Sequence, residues 1–226
     1  MDKYLEATVS NVIDCLTQAA NSDYIGESVS QLEHALQCAY FAECAGHSKE
    51  VVLACLLHDI GHFASHTKQS NMDNLGVVYH EWIGAKLAYD LGFCAKICLL
   101  IGYHVEAKRY LAAKKNSYLE RLSSASKGTL NFQGGAMSPE EMKFFEVHPL
   151  FKEILQVRIN DEKAKVTNLS VPDLNYYRNH FKTHFRDTNE ERMLVLSIPN
   201  HVDTLWVKEL KAFLEREYSL TKKLEN

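Results

Sequence analysis

The chain carries no excess of positive charge: 25 Lys and Arg face 29 Asp and Glu, and the basic residues are scattered instead of striped. That gives no electrostatic case for a nucleic-acid partner or an anionic membrane surface. No run of 18 apolar residues occurs, and no N-terminal stretch joins a basic region to an apolar one. Neither a membrane span nor a secretory leader is expected, and the expected location is cytoplasmic. Alternation of period two is scarce, and internal repeats and low-complexity segments are missing. Cys94 and Cys98 stand four apart, but no second cysteine pair follows at zinc-ribbon spacing. All six cysteines, Cys15, Cys38, Cys44, Cys55, Cys94 and Cys98, therefore read as reduced thiols in an apolar core.

Apolar residues recur at spacings of three and four almost throughout, so the chain reads as all-α. At 226 residues and 46% hydrophobic it can bury one full core. We expect one domain over 1–190 and a helical extension over 191–226 packed on it. The pattern predicts a helix over 3–20, a loop over 21–28, and a helix opened by a Ser30/Glu33 capping box that carries His34 and ends before Gly46. A helix capped by Ser48 is expected to carry His58-Asp59 and to close near Gly61. The polar stretch 67–74 is a candidate lid. A helix over 75–91, capped by Gly92, holds His80 in its first half, and a helix from Phe93 holds His104 near its end. Residues 114–137 read as mostly irregular. Ser138-Pro139-Glu140-Glu141 starts a helix strongly. His148-Pro149 breaks it and begins another presenting Arg158 and Asp161. Pro172 and Pro199 delimit helices over 173–185 and 201–218.

The chemistry concentrates in His34, His58-Asp59, His80, His104 and Asp161. An aspartate following the apolar run from Val51 to Leu57 has to be desolvated, and an unpaired buried carboxylate costs on the order of several kcal/mol. A cation compensates it well, since neutral imidazole and carboxylate are usual ligands of first-row transition metals. A single helical histidine is more often a packed or surface residue, and that reading holds for His47, His66, His148, His180, His184 and His201.

The order is what discriminates. A helical histidine, an adjacent His-Asp pair in the context His58-Asp59-Ile60-Gly61-His62, two separated histidines and a late Asp161 before Ala164-Lys165 resemble the HD-domain superfamily in its dinuclear version. Within it, the Tyr24-Ile25-Gly26-Glu27 loop, His62, Lys108, Ser126 and Arg158-Ile159-Asn160-Asp161 resemble the mixed-valent di-iron oxygenases. That group contains myo-inositol oxygenase and the PhnZ-type enzymes of phosphonate catabolism, and the PhnZ type fits better. The match runs from about Tyr24 to Lys165.

The resemblance implies an HD-domain helical bundle with additional C-terminal helices, holding two iron ions, Fe(II) and Fe(III). It implies His34, His58, Asp59 and Asp161 on one iron and Asp59, His80 and His104 on the other, with Asp59 as the bridge. It further implies that Tyr24 guards the open iron position, that Glu27 takes the substrate's cationic amino group, and that His62 acts beside the metals. Lys108 and Arg158 would bind the phosphonate, with Ser126, Thr129 and Gln133 as neutral donors. Read without it, Tyr24 and Glu27 are loop surface and Lys108 and Arg158 are solvated charges. The implied reaction is O2-dependent cleavage of the carbon-phosphorus bond of a small 1-hydroxy-2-aminoethylphosphonate-type substrate, giving phosphate and a carboxylate such as glycine. An HD-type metal-dependent phosphohydrolase or phosphodiesterase is the rival on the same ligands, and a non-catalytic ligand sensor on a degenerate HD scaffold is a second.

Overall fold

The computed structural model describes residues 2–18, 28–63, 72, 76–187 and 211–216. Among the described residues every regular element is helical: α1 (Asp2–Gln18), α2 (Gln31–Cys44), α3 (Lys49–Leu57), a 3-10 turn (Ile60–Phe63), α4 (His80–Leu91), α5 (Ala95–Gly102), α6 (His104–Lys114), α7 (Asn116–Arg121), α8 (Ser124–Phe132), α9 (Pro139–Glu146), α10 (Phe151–Lys163) and α11 (Leu174–Asp187). None of these helices is long and apolar enough to cross a membrane.

Local chemistry explains the starts. Ser30 accepts from the Glu33 backbone N–H at 3.2 Å, and the Glu33 carboxylate accepts from the Ser30 N–H at 2.7 Å, so the expected capping box opens α2. Ser138 and Glu141 repeat the arrangement at α9, with Pro139 inside the first turn. Ser48 caps α3, and Gly92 closes α4 in the left-handed region at φ 97°.

Several boundaries differ from the sequence reading, and the differences gather at the candidate ligands. α3 stops at Leu57, so His58 is its C-cap and Asp59 lies in the following turn, not inside a helix. α4 begins at His80, because Tyr79 takes a left-handed conformation (φ 61°) that no helix can run through. The helix expected to end near His104 is two helices, broken at Tyr103, with His104 first in the second. Residues 114–137 are not mostly irregular: they form α7 and α8. Nor are all the cysteines core residues, since Cys44 at the end of α2 is exposed. His184 is buried, stacked on Phe93 at 5.3 Å. His66, His201, most of the 67–74 segment and most of 191–226 lie outside the described residues. Residues 211–216 are helical and place Leu214, fully buried, in the main core.

That core is built where α2 packs on α3 and α10, and α3 on α5 and α10. Val51, Leu53, Leu57, Ile101, Ile154 and Val157 are essentially inaccessible. α4 lies along α5 and against the 3-10 turn. The last contact depends on Gly61: a Cβ there would sit 2.0 Å from the His80 carbonyl oxygen and 2.6 Å from the Gly84 nitrogen, both backbone atoms that cannot yield alone. Gly61 thus holds the half of the molecule carrying His58 and Asp59 against the half carrying His80. Gly61→Ala is expected to lose about 1–3 kcal/mol of stability through overpacking and to bind less metal. Urea unfolding with metal analysis checks this, and a variant matching the parent in both would refute it.

Candidate metal centre

Four imidazoles from different elements converge on Asp59. On one side, Asp59 Oδ2 lies 3.3 Å from His58 Nε2 and 3.7 Å from His34 Nε2. On the other, Asp59 Oδ1 lies 3.5 Å from His80 Nε2 and 3.7 Å from His104 Nε2. Asp161 Oδ1 joins the first group, 3.4 Å from His34 Nε2 and 3.8 Å from His58 Nε2. All six side chains are buried. The residues predicted as ligands are therefore brought together in two sets that share one carboxylate.

Each imidazole is oriented by its other nitrogen. Nδ1 of His34, His58 and His104 meets the carbonyl oxygens of Ala164, Cys55 and Ile101 at 2.7, 2.8 and 2.7 Å. Nδ1 of His80 meets the Val77 carbonyl at 3.3 Å and the Glu81 carboxylate at 3.5 Å. His58, His80 and His104 each use the carbonyl three residues back, and those of Cys55 and Ile101 lie in the last turns of helices, where carbonyls lack an intrahelical partner. A ring that donates from Nδ1 presents a lone pair at Nε2 when neutral, which is the tautomer a metal takes.

The metal fit follows from what these lone pairs face. His80 Nε2 and His104 Nε2 are 3.2 Å apart. Burial and the neighbouring His62 hold His80 far below the usual imidazole range, and burial with the His58 charge takes His104 down to about 3, so both are neutral. Two lone pairs at that distance repel unless a cation lies between them and Asp59. In the other set His34 Nε2 and His58 Nε2 are 3.1 Å apart. Burial disfavours a charge on His58, yet Asp59 and Asp161 outweigh it and push its pKa up to about 10. A positive charge is demanded there, and a metal would displace that proton. Asp161 Oδ1 is buried and has no hydrogen-bond partner, an acceptor left for a metal. His34, His58 and Asp59 form one group of donor atoms within 4.8 Å of one another, and Asp59, His62 and His80 another.

The carboxylates stay ionised against burial. The charged His58 imidazole holds Asp59 well below its ordinary range, and chiefly Arg158 does so for Asp161. Arg158 lies one turn before Asp161 on α10, donates to its Oδ2 and to Glu162 Oε1, and gives its Nε–H to the Tyr118 hydroxyl at 2.8 Å. Three of its five N–H groups are thereby engaged. The guanidinium steers Asp161 as well as bordering the open side of the site, a task the sequence reading did not assign to it.

That open side is a cavity of about 60 Å³, reached by Asp59, His80, His104 and Asp161. The remaining sequence candidates His62, Lys108, Ser126, Thr129, Gln133 and Arg158 line it too. Tyr24 and Glu27 lie outside the described residues. His62 reaches the site from the 3-10 turn. It stacks on His80 with ring centroids 4.1 Å apart, and its Nδ1 accepts the Val77 N–H at 3.3 Å, which leaves Nε2 as the proton-bearing nitrogen. Lys108 Nζ donates to Thr129 Oγ1 at 2.9 Å, and Lys165 Nζ to Ser126 Oγ at 3.2 Å. α8, which the sequence left irregular, carries Ser126 and Thr129 and ends beside Gln133.

Sequence reasoning missed Gln31, Glu81, Tyr118 and Lys165. Gln31 lies one helical turn before His34 and lines the cavity, a spacing that offered a signal. Glu81, buried beside His80, has its pKa raised to about 8 by burial and by Glu106. Nothing in sequence spacing points to Tyr118, which meets Arg158 only through tertiary packing.

A family model described as the HD domain matches residues 32–132, a span holding five of the six candidate ligands and ending before Asp161. An uncharacterized protein of Acanthamoeba polyphaga mimivirus is 42% identical over 172 residues, 76% of this chain and 78% of the viral one. The [1-hydroxy-2-(trimethylamino)ethyl]phosphonate dioxygenase (glycine-betaine-forming) of Leisingera caerulea is 43% identical over 153 residues, 68% of this chain and 78% of its own length. The hydroxymethylphosphonate dioxygenase of Gimesia maris is 38% identical over 163 residues, 72% and 81%.

Two outcomes test the site. Asp161→Asn is expected to lower metal content by about half, and Asp59→Ala to remove nearly all of it, as read by elemental analysis; equal loss in both would refute the shared-carboxylate arrangement. Burial, then the Arg158 charge, pulls the Lys108 pKa down to about 7. An anion bound beside it favours the charged ammonium, so above that pH binding must take up a proton. Affinity for sulfate, whose own charge is constant there, should fall by up to roughly tenfold per pH unit above 7. Lys108→Met should lessen that slope, as measured by calorimetry; an unchanged slope would show that Lys108 does not face the anion.

Proposed function

This chain belongs to the HD-domain phosphonate dioxygenase family, and on that premise we propose that it uses O2 to cleave the carbon-phosphorus bond of a small 1-hydroxyalkylphosphonate. The observation that carries the reading is the pair of donor sets sharing Asp59, open on one side to a cavity bordered by Lys108 and Arg158. We assign two iron ions as the cofactor, Fe(II) and Fe(III), with His34, His58, Asp59 and Asp161 holding one and Asp59, His80 and His104 the other. The second has fewer protein ligands, which leaves coordination positions open. When bound, the irons supply the redox chemistry that activates O2 and the Lewis acidity that draws in the substrate's oxygens.

The protein's own residues do the rest. Lys108, as a point charge, and the two N–H groups that Arg158 has left over offer the pairing a phosphonate dianion needs. His62 presents Nε2–H toward the same cavity as a hydrogen-bond donor to a substrate oxygen. Arg158 keeps Asp161 ionised and aimed, so substrate binding and ligand geometry are linked through one guanidinium. Burial excludes bulk water from the reacting carbon and limits competing oxidations. For 2-amino-1-hydroxyethylphosphonate, one O2 is consumed and glycine, inorganic phosphate and a proton are released. The carbon-phosphorus bond breaks, the carbon leaves as carboxylate, and both oxygen atoms appear in the products.

The test is phosphate release from iron-reconstituted protein with aminoalkyl and hydroxyalkyl phosphonates, in air and under strict anaerobiosis. Substrate-dependent O2 uptake matching phosphate release is the expected result. Equal phosphate release without oxygen would overturn the oxygenase and favour hydrolysis on the same ligands.

A further inference from the structure

The donor set of Asp59, His80 and His104 depends on the spacing of two helix starts. His80 opens α4, His104 opens α6, and their Nε2 atoms lie 3.2 Å apart. Metal–ligand distances tolerate only about 0.2 Å of error, so the first turn of α4 has to be fixed against the first turn of α6. One aromatic pair joins the two turns. Trp82, two residues after His80, meets Tyr103, the residue just before His104, edge to face with ring centroids 5.2 Å apart. Both side chains are buried. The Trp82 ring also packs on Gly102, where a Cβ would come within 2.5 Å of it.

The pair is gripped by the helical residues 211–216, which come from far along the chain. Leu214, fully buried in the main core, seats them. The Tyr103 hydroxyl donates to the Glu215 carboxylate, 112 residues away in sequence. The Lys211 ammonium lies 4.4 Å from the Tyr103 ring centroid and 5.6 Å from that of Trp82, within cation-π range. It is also 4.0 Å from Glu106 Oε1. One ammonium thus engages α4, the break between α5 and α6, and α6 itself. Lys211 and Glu215 lie outside the span 32–132 matched by the HD-domain model, whereas Trp82, Tyr103 and Glu106 lie inside it.

We propose that Glu215 and Lys211 are positioning residues for one of the two metal sites: by holding Tyr103 against Trp82 they set the spacing of His80 and His104. Tyr103 is the single residue between α5 and α6, so the direction in which α6 leaves, and with it the place of His104, follows the seating of that ring. Neither residue touches the metal. The inference rests on the two-metal reading of the site and is independent of which substrate the protein takes.

The experiment titrates the metal-free chain with Co(II), without any phosphonate, by calorimetry and visible absorption. Two binding steps are expected in the parent, and His104→Ala identifies the one that belongs to Asp59, His80 and His104. Glu215→Ala and Lys211→Met should each lower the affinity of that step about tenfold relative to the other. Glu215→Gln, whose amide oxygen still accepts from the phenol, and Lys211→Arg, which keeps a cation over both rings, should restore most of it. Phe185→Leu removes packing on α11, which lies against α1 and α3, and should lower the melting temperature without changing the ratio of the two steps. An unchanged ratio in both Glu215→Ala and Lys211→Met would overturn the inference, as would an equal change in Phe185→Leu, which would reveal a general loss of packing. Should Glu215→Ala fail to fold, Lys211→Met gives the same readout. A parent with a single binding step would remove the two-metal reading itself, and the parent titration alone shows that case.

Discussion

Asp59 is the constraint on which the rest of the site depends. Its two oxygens face two separate pairs of imidazole nitrogens, so one buried carboxylate has to satisfy two positive centres at once. That arrangement lowers the repulsion between neighbouring cations and explains why so many polar groups are buried together. Without positive charge, the converging lone pairs of His80 and His104 and the unpartnered Asp161 Oδ1 would be strongly unfavourable. With it, the same atoms become ligands.

The fold meets the demand by placing ligands where helices end. His58 caps α3, and His80 and His104 begin α4 and α6. Carbonyls at helix ends are free of intrahelical bonds, so they are available to take the Nδ1–H of a nearby imidazole. A histidine in mid-helix would find those acceptors already used. The left-handed Tyr79 backbone costs on the order of 1 kcal/mol, and it delivers the chain into His80 with the Val77 carbonyl in reach. Gly61 then lets the turn after Asp59 press directly on the His80 backbone. Irregular backbone at Tyr79 thus helps to fix the position of His80.

The cavity continues the same logic. Arg158 is shared between a candidate ligand and the ligand-facing space, and Lys108 loses much of its charge stability to burial until an anion arrives. The partly used cations Lys108 and Arg158 leave hydrogen-bonding capacity at the cavity. A ligand with an anionic end matches that capacity.

The amino-acid sequence alone determined the all-helical class, through apolar spacing, and the starts of α2, α3 and α9, through Ser30, Ser48 and Ser138. It also offered the metal candidates, through the His-Asp pair behind an apolar run and through an order of the other ligands that resembles the HD-domain pattern. It did not reveal that α3 stops short of His58 or that the helix before His104 breaks at Tyr103, where the two imidazoles meet the carbonyls of Cys55 and Ile101. Short polar helices such as α7 and α8 carry too little apolar periodicity to be read locally, and exist because Tyr118 and Leu130 pack against neighbours. Only the tertiary structure decided that Asp59 faces both ways, that Arg158 steers Asp161, and that Gln31 is among the residues lining the cavity. Those are relations between helices distant in sequence, and no local pattern encodes the direction of a side chain across them.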